Sequence, residues 1–257
     1  MIIKTLSKFI FLTGIRDKLF IGLLTIILVI FAVSNLIGFT ALTEEAQMQL
    51  TYFAFLSRIV IICGMILFIC FYINKEFENR EIEFILSKNI SRNQFIISYW
   101  CTFNLMSLIL LCPVAIIISI FNQYNFIGLI VWLISVLLEN TIISTFAIVS
   151  SLILKSAIIS ILSTLSFYII SRMMGFFVYT LTMKNITYIF TSWQNFTEGI
   201  LKILSSVFPR LDLFGKTEWL IYGITDIKDI YILCIQSFIY IILMLLIAFY
   251  DFNKKEF

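Results

Sequence analysis

The chain alternates long apolar runs with short polar interruptions. Apolar stretches of about 18 residues or more are the length that crosses ~30 Å of hydrocarbon as a helix. They fall at about residues 19–38, 52–73, 95–121, 126–154, 157–180 and 229–250. Strands of a membrane barrel would instead be ~10-residue segments of alternating hydrophobicity, and these runs are continuous. The expected fold is therefore all-α, with a single transmembrane domain of six helices over residues 1–257. Pro113, inside the third run, removes a backbone donor and predicts a bend there.

Ahead of the first run, Lys4, Lys8, Arg16 and Lys18 are spaced among Ile2, Ile3, Leu6, Phe9, Ile10 and Ile15. That basic amphipathic pattern predicts a helix lying in the membrane interface. Met1–Lys18 lacks the short apolar core and small-residue cleavage site of a secretory signal peptide, so the first run is expected to remain as a span. Two polar segments are longer than the other links, at 74–94 and 183–228. Within the second, apolar positions over Trp193–Phe208 predict another interface-lying helix ended by Pro209, and Trp219 and Tyr222 read as aromatic anchors before the last span.

Composition strengthens the membrane reading. Hydrophobic residues make up 61% of the chain and charged ones 13%, against roughly 45–50% and 25% in soluble domains. Cys63, Cys70, Cys101, Cys112 and Cys234 all fall in apolar runs and read as small buried hydrophobes. With both termini cytoplasmic, the inner segments hold Lys75, Arg80, Lys88, Arg92, Lys155, Lys254 and Lys255 besides the N-terminal bases. The short outer links at 39–51 and 122–125 then hold none.

The sequence contains no histidine. That removes the commonest general base and metal ligand, so Ser–His and His–metal chemistry is excluded and an enzyme is not expected. Met173, Met174 and Met183 are soft donors without a supporting histidine or Cys-x-x-Cys, and no metal or cofactor site is expected. Nothing points to nucleic acid. Three charges do interrupt the apolar runs: Arg58, Glu139 and Arg172, with Asn140 beside the acid. Charges at bilayer depth face protein or water. They either line a transport path or form a structural pair of Glu139 with one arginine. The Ser- and Thr-rich stretch of the fourth and fifth runs predicts close helix packing through hydroxyl hydrogen bonds.

The segment after the second span runs from Glu76 through Glu78, Glu81, Ile82, Phe84 and Leu86 to Ser87, Lys88, Ile90, Ser91 and Arg92. Acids come first and bases last, matching the two ends of a helix dipole; a solvated loop obeying the charge rule is the plain alternative. The order resembles the first cytoplasmic loop of ABC-2-type transporter permeases, similar to those grouped with copper-enzyme maturation. That pattern is a Glu-rich start, a leucine-rich helix, then Ser-[Arg/Lys]-Pro-[Val/Ile]-Ser-Arg. Asn89 stands in place of the usual proline, Arg80-Glu81 in place of Gly-Thr, and Tyr99-Trp100 in place of Gly-Lys. The resemblance implies an exporter permease subunit of a bacterial inner membrane, working as a homodimer by alternating access. The loop helix, about Glu78–Arg92, would be the coupling element, with Glu76 just ahead of it, for a separate ATPase that holds ATP and Mg. This chain has no Gly-x-x-x-x-Gly-Lys-[Ser/Thr] loop of its own. An ATP-independent channel or scaffold is the alternative.

Overall fold

A computed structural model describes residues 2–40, 44–82, 85, 90–121, 124–184, 199, 207–224 and 227–254. The described residues form helices α1 (Ile2–Ile15), α2 (Lys18–Gly38), α3 (Glu45–Glu78), α4 (Arg92–Ile120), α5 (Phe126–Leu154), α6 (Ala157–Lys184), α7 (Glu218–Tyr222) and α8 (Ile227–Lys254), with a 3-10 turn at Leu211–Leu213. Six of these, α2 to α6 and α8, are long and apolar enough to cross a membrane. The chain is a multi-pass membrane protein by this criterion.

The helix bounds follow local chemistry. The Asp17 carboxylate accepts from Leu19 N, and the Asn125 side chain accepts from Gly128 N. Ser91 and Gln94 form a reciprocal capping box at the start of α4. Lys155, left-handed at φ 50°, ends α5 and turns the chain into α6. α4 continues through Pro113 as one helix to Ile120.

Two helices overrun the sequence expectation. α3 is 34 residues long, about 51 Å at 1.5 Å per residue, so it projects past a ~30 Å core. The segment expected as a loop from residue 74 to 94 is shortened at both ends, because α3 runs to Glu78 and α4 begins at Arg92. Continued helix there keeps Asn74 and Glu76 inside the packed bundle, where both are buried. The last span, expected over 229–250, likewise continues as helix through Asp251 and Phe252, within α8.

α3 and α5 form the centre, packing on each other and on α4 and α6, with α2 against α3 and α8 against α5. α2 and α3 approach closely at Gly64, where a Cβ would lie 2.1 Å from Leu23 Cδ2. The outer helices α2, α6 and α8 leave broad apolar faces uncovered by protein, as at Leu28, Ile158 and Phe238. In a bilayer such faces meet acyl chains. Cys101, Cys112 and Cys234 are exposed on such faces, contrary to the expectation of five buried thiols; only Cys70 is buried and Cys63 is half-buried. An apolar environment outside the protein makes an exposed and a buried thiol equivalent in sequence.

Both termini sit at one end of the bundle. Ser7 Oγ donates to Ser98 O, and Thr102 Oγ1 donates to Ser7 O, while Arg92 Nη1 donates to Phe252 O and Asn253 O. An aromatic column joins the helices at this end: Phe20 on Phe68, Phe68 on Phe103, Tyr99 on Phe95, and Phe95 stacked on Phe252. α1 turns Ile10 and Gly14 inward, and leaves Lys8, Phe9 and Leu12 exposed.

A charge triad under a folded-in loop segment

At the opposite end, residues 207–224 fold inward between the helices. Leu211, Phe214, Trp219 and Leu220 are buried. Trp219, expected as an interface anchor, instead packs against α5: a Cβ on Gly128 would lie 1.7 Å from Trp219 O. Tyr222 is exposed. The main-chain link Asn125 N to Leu220 O at 2.7 Å fastens the segment to the start of α5.

Backbone that is neither helix nor sheet is tolerated among membrane helices only where protein groups satisfy it. The three intramembrane charges do so. Arg58 Nε and Nη2 each donate to Glu139 at 2.7 Å, and Arg58 Nη1 donates to Gly215 O at 2.8 Å. Arg172 Nη1 donates to Leu211 O and Phe214 O, and lies 3.6 Å from Glu139. Ser135 Oγ accepts from Gly215 N at 2.7 Å. Gly215 has φ +56°, and a Cβ there would meet the Arg58 guanidinium at 2.6 Å. A side chain is excluded on both counts.

The triad is brought together from α3, α5 and α6, each charge lying about 18–20 Å from its helix end at 1.5 Å per residue. Glu139 is fully buried and the Arg58 side chain 3% exposed, while the Arg172 side chain is 33% exposed. From sequence the three charges were either a path lining or a pair of Glu139 with one arginine; Glu139 bonds Arg58 and also stands 3.6 Å from Arg172. The part played by the carbonyls of Leu211, Phe214 and Gly215 carried no side-chain signal and was missed. Asn140, next to the acid, is fully buried, and neither end of its carboxamide is hydrogen-bonded among the described residues. One turn on, Ser144 Oγ donates to Asn104 Oδ1 at 3.3 Å, and Ser150 bonds Thr164 at 3.0 Å between α5 and α6. Many other hydroxyls there bond back to their own helix, as Thr141 does to Leu137 O.

At the terminal end, the residues that the resemblance singles out divide. Glu76 is turned into the bundle, where it accepts from the Tyr99 hydroxyl, so it is a buried group and not part of an exposed acidic face. Glu78 and Glu81 are exposed, and Glu81 accepts from Asn79 Nδ2 at 3.1 Å. Ile82 is buried. Phe84, Leu86, Ser87 and Lys88 lie outside the described residues. Ser91 caps α4 and Arg92 caps the end of α8, both through backbone partners within the chain. Among the described residues no group of three or more Cys, Asp or Glu side chains is placed to hold a metal ion.

No family model and no curated protein matches the chain.

Proposed function

We propose that the chain is the membrane-spanning permease subunit of an ATP-binding cassette exporter, driven by a separate ATPase. The observation that carries this reading is the charged link between α3 and α4. It matches the permease loop pattern at Ser87, Lys88, Ile90, Ser91 and Arg92, and it leaves a six-span bundle at the end shared by α1 and the close of α8. Exposed Glu78 and Glu81 would meet the ATPase. Buried Glu76 and the backbone-capping Arg92 would tie the link to α4 and α8, so that a pull on it moves whole helices. ATP and Mg would sit in the ATPase, and two permease chains would meet through their apolar outer faces. The terminal end would be cytoplasmic, in a bacterial inner membrane, with α1 in the interface and residues 207–224 on the outer side.

The test is co-expression with each candidate ATPase of the source genome, then purification and hydrolysis in lipid. The expected result is a complex with two permease and two ATPase chains and stimulated hydrolysis, weakened when Glu78 and Glu81 are both changed to Lys. Failure of every candidate ATPase to bind or be stimulated overturns the reading and leaves an ATP-independent channel or scaffold.

A further inference from the structure

We infer that the free edge of the Arg172 guanidinium is a binding site for an oxyanion, the phosphate or carboxylate of a ligand reaching α6 from within the membrane. Charge immediately around Glu139 does not balance, the Lys216–Asp229 pair at the same end being separate. Arg58, Arg172 and Arg210 face Glu139 and Asp212. Arg210 holds Asp212 at 3.0 Å. Arg58 takes both oxygens of Glu139, so Arg172 is the surplus cation. Its Nη1 is spent on two backbone carbonyls and stands 3.6 Å from Glu139, too far for a hydrogen bond. Among the described residues nothing accepts from Arg172 Nε or Nη2.

Those two donors form the flat fork that carboxylates and phosphates engage bidentately. The side chain is one-third exposed, and its neighbours Ile169, Met173 and Phe176 on α6 are exposed apolar residues. An open guanidinium edge facing hydrocarbon is costly, whereas one facing an anion is not. The carbonyls of Leu211 and Phe214 fix the guanidinium plane, so the free edge is preorganised rather than mobile. Tyr168, half-buried one helical turn before Arg172 on the same face of α6, would be the nearest hydroxyl on that face for a third contact.

The inference adds a substrate class, an anionic amphiphile or acid, to the exporter reading, and rests on that reading only in treating the ligand as cargo. The experiment needs no ATPase, so its failure is separate from failure of the transporter assignment. The full chain is placed in phosphatidylcholine nanodiscs, and binding of chain-labelled phosphatidylglycerol is compared with chain-labelled phosphatidylcholine. A preference of about tenfold is expected, one decade of affinity being what a single good charge-assisted fork supplies. Arg172→Gln should remove the preference, Arg172→Lys should leave a weaker one, and Tyr168→Phe should weaken it about threefold. Displacement by millimolar inorganic phosphate would assign the site to free oxyanions, and no displacement would assign it to the lipid headgroup. Equal binding of the two lipids together with no Arg172-dependent phosphate binding overturns the inference, as does a full preference retained in Arg172→Gln. Should Arg172→Gln fail to fold, Arg172→Lys and Tyr168→Phe carry the comparison.

Discussion

Both carboxylate oxygens of Glu139 are held by the guanidinium of Arg58, at 2.7 Å each, across 81 residues of sequence. The pair joins the two central helices, and the remaining nitrogen of Arg58 reaches the carbonyl of Gly215 in the folded-in segment. One arginine therefore serves helix pairing and loop docking together.

Removing one partner of a buried pair leaves an uncompensated charge and costs about 3–5 kcal/mol, whereas replacing both by apolar residues is often neutral. Glu139→Leu and Arg58→Met should each lower the thermal unfolding temperature in detergent strongly. The double variant should recover part of the loss, but not all, because Gly215 O still lacks its donor. A double variant less stable than either single would contradict the pairing.

Gly215→Ala places a Cβ on left-handed backbone and against Arg58. Left-handed backbone alone costs roughly 1–2 kcal/mol for an ordinary residue, and the clash adds to it. Gly22→Ala is the matched control, since a Cβ there meets nothing within 4 Å. Midpoint denaturation should drop for the first and hold or rise for the second.

Asn140 is fully buried, with a carboxamide that has no partner among the described residues. A buried polar group without partners costs about 1–3 kcal/mol. Asn140→Leu should leave stability unchanged or raise it, and a transport loss in that stable variant would mark the amide as functional. A clear drop in unfolding temperature would show that the amide is satisfied in the native protein.

Arg92→Gln should loosen the last turn of α8, since Arg92 donates to Phe252 O and Asn253 O. Amide exchange should rise near residues 250–254 while the helix centre stays protected. Unchanged exchange would show that the stacked Phe95 and Phe252 rings hold that end unaided.

The spans were legible because a run of apolar residues long enough to cross a bilayer has few other stable outcomes, and the span over residues 126–154 coincides with Phe126–Leu154. The ends of α3 were less legible, since Glu45, Asn74 and Glu76 are polar letters that helix continuation and burial absorb. Arg58, Glu139 and Arg172 were visible as costly interruptions, which told that they face protein or water.

What the sequence determined by itself is the membrane class, the number of spanning helices and the identity of the buried charges, because these depend on local composition and length. Only the tertiary structure decided which charge meets which, that Trp219 is buried against Gly128, and that the carbonyls of 211–215 complete the triad. Those contacts join helices far apart in the chain and use backbone atoms, which every residue carries alike. The surplus on Arg172 follows from that geometry, since Arg58 takes both oxygens of Glu139 and leaves Arg172 at 3.6 Å.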